Sequence, residues 1–312
     1  MSETSAAHRT SVAVSVKETP GPQAPRFAPY AGRQRPFSIA MAPIDHADWL
    51  DIDDNRAAEL ALKRAIFGEE PAAFTEAEGT REAQAEAFGM LADYLGERGI
   101  VLPDAAAGPP LLAAALGVQD DLVLMRRGED AWHLAAAALA FPSAWRLEEM
   151  FGLPMDDIHK DVPGWEGPMA ARVKRIFDSL APDALVGRLN WSVQAGEGLR
   201  QAHSKHYPPR KSPPGAPLFL RVERQTLRKL PVSGDLLFTI KVMLDPIEVL
   251  GERADGPTLA AMINEVIAGL DDGQLAYKNL TETKNAVMVR IEQAANCSRG
   301  APAPAETLAG RP

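Results

Sequence analysis

Hydrophobic spacing along the chain changes from helical to alternating and back to helical. Trp49, Ile52, Leu60, Leu62 and Phe67 fall on one face of a helix that Asp48 is placed to cap. A second helix is predicted from about Arg81 to Glu97, with Phe88, Leu91 and Leu95 in step and Gly99 as its stop. A loop follows from Pro103 to Pro110. The spacing then becomes that of strands, over Asp121 to Met125 and Ala131 to Leu139, with a turn at Arg127 to Asp130. Ser143 is placed to cap a short helix through about Phe151. Gly152, Pro154, Pro163, Gly164, Gly167 and Pro168 break up the next stretch, and a helix with a basic face (Arg172, Lys174, Arg175) runs from Met169 to Leu180. Three further strands are predicted: Arg188 to Gln194, Leu218 to Leu230 and Leu236 to Leu244. In the first of them Leu189, Trp191 and Val193 face one way, and Arg188, Asn190, Ser192 and Gln194 the other. After Pro257, the residues Leu259, Met262, Ile263, Val266, Ile267 and Leu270 form an amphipathic stripe.

This order is two strands, a helical middle and three strands, with helices added at both ends. By analogy it is the order of a PAS-type α+β domain, an antiparallel sheet with a helical middle. Residues 1–34 and 297–312 are rich in Pro and poor in large aliphatics, so they are expected to be disordered tails around a single domain at 35–296.

Composition narrows the function. Hydrophobic residues make up 46% of the 312, enough for a sizeable core, and the net charge of −9 disfavours nucleic acid and anionic membranes as partners. No apolar run approaches the roughly 20 residues that span a bilayer. The N-terminus has no apolar leader pattern, so a cytoplasmic setting is expected. Cys297 is the single cysteine, which excludes an internal disulfide and any cysteine-held cluster. The histidines are therefore the candidate ligands.

Several blocks carry a resemblance. They are Arg35-Pro36-Phe37, Trp49-Leu50 to Lys63-Arg64, Phe141-Pro142-Ser143-Ala144-Trp145, Ile158-His159-Lys160-Asp161-Val162-Pro163-Gly164, Arg188-Leu189-Asn190-Trp191-Ser192, Leu220 through Pro231, and Leu237-Phe238-Thr239-Ile240. Together, over about residues 35 to 280, they resemble the DUF3445 family. Its characterised type is the α subunit of a haem-dependent oxidative N-demethylase. The family pattern carries a lysine near Met150 and a proline near Asp161, and this chain departs at both.

The resemblance implies a b-type haem in a PAS-like domain, held by a histidine. It also implies oxidative removal of a methyl group from a small dimethylamine-like amine with O₂, releasing formaldehyde. Electrons would come from an NADPH-dependent flavin and iron–sulfur reductase subunit, since this chain lacks the cysteines for a cluster. His159, in the family's I-H-x-x-V-P run, is the expected axial ligand; the plainer reading is a helix-end histidine bonded to a carbonyl. His133 is the second choice. Arg224 or Arg228 is expected to anchor haem propionates, or else to lie on a solvated sheet face with cross-strand pairs. Trp191 and Phe238, with Trp145, are expected as core or haem-packing residues, and Asn190 and Gln194 as weaker polar candidates. His203 and His206, beside Tyr207, have the spacing of half a metal site but read more simply as a solvated loop. His8 and His46 have no site context. Two other classes stay open, a haem PAS sensor of gas or redox state and a scaffold subunit without haem.

Overall fold

Seven strands form one antiparallel sheet, in the order β1-β5-β6-β7-β3-β4-β2. They are β1 (Ala42–Pro43), β2 (Phe74–Glu76), β3 (Asp121–Arg127), β4 (Trp132–Ala138), β5 (Leu185–Ala195), β6 (Leu218–Lys229) and β7 (Leu236–Pro246). The architecture, seen in a computed structural model, is α+β, as the spacing predicted. The structure describes residues 27–32, 37–106, 108–203 and 215–297. The expected tails at 1–26 and 298–312 lie outside these, as do His8, His206 and Tyr207. Part of the segment expected to be loose is packed: Tyr30 is fully buried, edge-on to Trp191 at 5.7 Å.

Strands β5, β6 and β7 pair over long stretches, and the register sorts every side chain to one of two faces. Face A carries Leu189, Trp191, Leu220, Val222, Arg224, Thr226, Arg228, Leu237, Lys241, Leu122 and Leu124. Face B carries Val186, Arg188, Asn190, Arg221, Glu223, Gln225, Leu227, Phe238, Ile240, Val123 and Met125. The alternation predicted for β5, β6 and β7 is therefore the alternation observed.

Helices divide between the faces. On face A, α2 (Arg81–Gly96) and α3 (Pro110–Ala115) seal one end through Ala87, Leu91, Leu95 and Leu111. At the other end α7 (Gly256–Ala268), α8 (Asp272–Tyr277) and α9 (Lys284–Asn296) pack on Trp191, Leu220 and Val222. Each fully buried leucine there contributes about 2 kcal/mol. Face B is covered by α4 (Leu147–Met150), α5 (Met155–His159) and α6 (Pro168–Ser179), which bring Met150, Met155, Trp165 and Phe177 onto Val123, Met125, Leu227 and Leu236. The remaining long helix, α1 (Arg56–Glu69), sends Lys63 to the start of β3.

Two helix starts differ from the spacing. Asp48 caps no long helix; Asp45 caps a short 3₁₀ turn, and α1 begins only at Arg56. The cause is Lys241, fully buried on face A, whose Nζ meets Asp51 Oδ2 at 2.8 Å and Asp53 Oδ2 at 2.6 Å. Two carboxylates at i and i+2 reach one cation when the backbone is extended, not helical. Ser143 likewise caps nothing. Its Oγ accepts from Arg221 Nε at 3.0 Å, and α4 starts at Leu147. The short helices α3 and α8 and the final α9 were not predicted, although Val287, Ile291 and Ala295 bury one face of α9 at four-residue spacing.

Candidate functional site

His159 ends the single turn of α5, which is tied to β4 from both sides of Leu153. Leu134 N donates to Leu153 O at 3.2 Å, and Gly152 N donates to Leu134 O at 3.0 Å. Pro154 precedes the turn and enforces the extended backbone from which it starts. The imidazole is held in two ways. Its Nδ1 donates to the Met155 carbonyl at 2.8 Å, and its ring stacks on Trp165 at 4.3 Å with 16° between the planes. Trp165 is itself buried, and its Nε1 donates to Asp156 Oδ1 at 3.2 Å. A carbonyl oxygen can only accept, so Nδ1 carries the proton, and in the neutral ring Nε2 carries the lone pair. The plainer reading of this histidine, a bond to a carbonyl, is thus also what sets up a nitrogen donor.

Beside the apolar floor under α5, face B turns polar. Arg188 and Asn190 of β5 lie opposite Gln225 and Glu223 of β6, with Arg221 one step further. Arg221 is fully engaged: it donates to Ser143 Oγ at 3.0 Å, Gln194 Oε1 at 3.1 Å, Leu199 O at 2.9 Å and Phe141 O at 3.2 Å. Glu223 accepts from Gln225 Nε2 at 2.9 Å. Arg188 differs. Among the described residues no hydrogen bond or ion pair reaches it, and its Nε is buried without a partner. Burial lowers its pKa, and the field of Glu223 only partly offsets this. Lys278, just past α8, donates to the Trp191 carbonyl at 2.9 Å and lies 5.1 Å from the Phe37 ring centre. Burial pushes its ammonium down to about 8; Glu223 opposes the shift and Arg188 reinforces it. The neighbouring Tyr277 hydroxyl is pushed up to about 12 by burial, then by the charges of Glu223 and Asp161. The charges of Glu223, Arg188 and Asp161 therefore all reach the end of α8.

The family model for the haem-dependent oxidative N-demethylase, alpha subunit-like proteins matches residues 101–288. That is more than half of the chain and runs from before β3 into α9. The chain belongs to this family. The match includes His159, Arg188 and Lys278. The residues of face B fit a haem on two counts. A histidine with Nδ1 bonded to a backbone carbonyl has the arrangement usual for a metal-ligating imidazole. The surrounding wall is apolar, with Met155, Trp165, Leu227 and Phe238 in one cluster.

The expected site residues do not all share this face. His159 and Phe238 do. Trp191, Arg224 and Arg228 lie on face A, so the common cavity expected for these residues is corrected. Trp191 is packed in the core against Tyr30. Arg224 donates to the carbonyls of Trp49, at 2.9 Å, and Asp48. The Arg228 guanidinium lies 4.6 Å from the centre of the Trp49 ring. Strand parity is the reason: even-numbered positions of β6 point away from α5. The solvated alternative fails for Arg224, which is buried, while Arg228 is half-buried. His133 sits at the sheet edge with Nδ1 on the Gly152 carbonyl at 3.1 Å. The backbone N of His203 donates to Gln201 O at 3.0 Å, and His46 Nε2 bonds Asp183 O at 2.8 Å. Gln194 helps hold Arg221. Sequence reasoning missed Arg188, although its place on the polar side of β5 was a signal. For Lys278 there was none.

Among the described residues no helix is long and apolar enough to cross a membrane.

Proposed function

We propose that this chain is the haem-carrying subunit of an enzyme that oxidatively removes a methyl group from a small, dimethylamine-like amine. O₂ is the oxidant, and formaldehyde and the demethylated amine are the products. The observation that carries this is the doubly held His159 imidazole, with Nδ1 on a carbonyl and its ring against Trp165, above an apolar floor. His159 would bind the iron through Nε2, and Phe238 would wall the ring of the cofactor. The haem, when bound, supplies O₂ activation. The chain's own residues hold the ligand ring in one orientation, exclude water with the apolar cluster under α4 to α6, and set the charge on face B. A non-covalent b-type haem is the form proposed, because covalent attachment uses a cysteine pair and Cys297 is alone. For the same reason the electrons are proposed to come from a separate NADPH-dependent flavin and iron–sulfur reductase. The core is proposed to be PAS-like, and the setting cytoplasmic.

Reconstitution with haem tests the reading. The wild-type chain is expected to give a Soret band with the signature of a histidine-ligated iron, and His159→Ala to lose that signature. Turnover with NADPH, such a reductase and dimethylamine is then expected to release formaldehyde. A haem-loaded chain that releases none with any methylamine tested would instead be a sensor. A folded chain that takes up no haem would be a scaffold.

A further inference from the structure

Among the described residues most buried cations are matched, the unpartnered carboxylate oxygens being Asp120 Oδ1 and Glu149 Oε2. Lys63 donates to the carbonyls of Val118, Gln119 and Asp120 and lies 3.5 Å from Asp121. Lys241 has Asp51 and Asp53. Arg221 has four oxygen acceptors, and Arg224 has two. Arg228 has an unpartnered Nε, but its guanidinium lies over Trp49 on face A. Arg188 has neither an acceptor nor a ring among the described residues, and it sits on face B. Arg188 is half-buried with its Nε shut off from water; leaving a withdrawn donor without an acceptor costs stability, so an arginine kept there points to a ligand that supplies one.

Three further observations say what that ligand is. Lys278, from a different element, brings a second cation to the β5 backbone three residues from Arg188, within reach of the fields of Arg188 and Glu223, and uses one of its three N–H donors among the described residues. Glu223, the carboxylate of this patch, is turned to Gln225 and, at 3.9 Å, to Arg221. Arg188 is two residues along the same side of β5 from Val186, which packs into the apolar cluster that contains Met155 and Trp165. Two cations with donors to spare, beside an apolar wall, match a ligand with a flat apolar body and two carboxylates at its edge.

We propose that Arg188 and Lys278 form a carboxylate seat that receives the propionates of the haem. This rests on the haem reading above and takes the anchoring role away from Arg224 and Arg228. The guanidinium fork suits a carboxylate in two-point contact, while the ammonium acts as a point charge. Asn190, beside Arg188 on the same side of β5, makes no side-chain hydrogen bond among the described residues, so its amide is available to add a donor.

The test compares haem with haem dimethyl ester, whose propionates carry no charge. Both are titrated into the full chain and followed by Soret absorbance and tryptophan quenching. Wild type is expected to prefer haem by about tenfold or more. Arg188→Met and Lys278→Met are each expected to lose most of that preference by binding haem more weakly, with ester binding unchanged. Thermal unfolding of the ligand-free variants shows that they fold. The His159→Ala variant is expected to keep the preference while losing the axial-histidine spectrum, which separates the seat from the ligand. Equal binding of haem and ester by wild type, or undiminished preference in Arg188→Met, overturns the seat while the haem reading stands. Absence of haem uptake by folded wild type overturns the haem reading and the seat with it.

Discussion

Lys241 on face A and Arg188 on face B are both drawn out of water, but their surroundings treat them differently. On face A, Lys241 is wrapped by Asp51 and Asp53, and the same two bonds draw residues 49 to 55 into the extended path that delays α1. Burial alone would raise the pKa of Asp53, yet hydrogen bonds from Lys241 and Gln119 hold it below its ordinary value. That network is complete, and its product is the fold. On face B, Arg188 makes no hydrogen bond or ion pair among the described residues, and Lys278 is held half-matched with its proton loosened. An incomplete network destabilises the chain by itself. In the seat proposed above, its product is affinity. The contrast then separates a buried charge that builds the fold from one left over for the proposed ligand.

Substitution should expose that contrast most strongly at Lys241. Lys241→Met leaves two carboxylates buried without their cation and is expected to cost about 3–5 kcal/mol in urea denaturation. Arg188→Met is expected to act in the opposite direction and stabilise the ligand-free chain by about 1 kcal/mol, because it removes an unmatched buried cation. A clear loss of stability there would mean that the guanidinium is structural, and the two faces would no longer differ.

A smaller effect is expected from pH. The Lys278 pKa is lowered to about 8 in the folded chain, against about 10.4 for an ordinary lysine. Between those values the unfolded chain holds a proton that the folded chain has released, so ligand-free stability rises with pH across that window. The rise is expected to be under about 1 kcal/mol after solvent screening, and Lys278→Met should flatten it in denaturation curves taken at pH 8 and pH 10. Least of all is expected from Lys174→Ala. Its partner Asp178, at 2.5 Å, is on the exposed side of α6, and the change should be within about 0.5 kcal/mol by the same measurement.

Much of this was legible in the chain. Period-two alternation marked five of the seven strands, β3 to β7, and even the two faces of β5 to β7, because side-chain direction follows parity alone; β1 and β2, of two and three residues, are too short to show a period. The local setting of His159 was legible through its neighbours, since Pro154 and the Pro163-Gly164 turn bracket a single turn of helix. Arg224 and Arg228 were misplaced for a reason that alternation does not contain. It says that two residues share a face, but not which face α5 covers. That depends on how the long connection from β4 to β5 folds back. Asp48 misled because Lys241, nearly two hundred residues away, outweighs a local capping preference. Lys278 was invisible because its role comes from the carbonyl of Trp191, across a sheet edge that no local pattern marks.

The placement of Lys278 has a consequence for how the protein is made. A chain leaves the ribosome N-terminus first. His159 and Arg188 therefore emerge well before β7, which must still insert between β6 and β3, and before α8 carries Lys278 to the edge of β5. A nascent chain would hold an imidazole with half a seat. Full capture of the cofactor would then wait until the C-terminal helices have docked, so that only a finished subunit is charged.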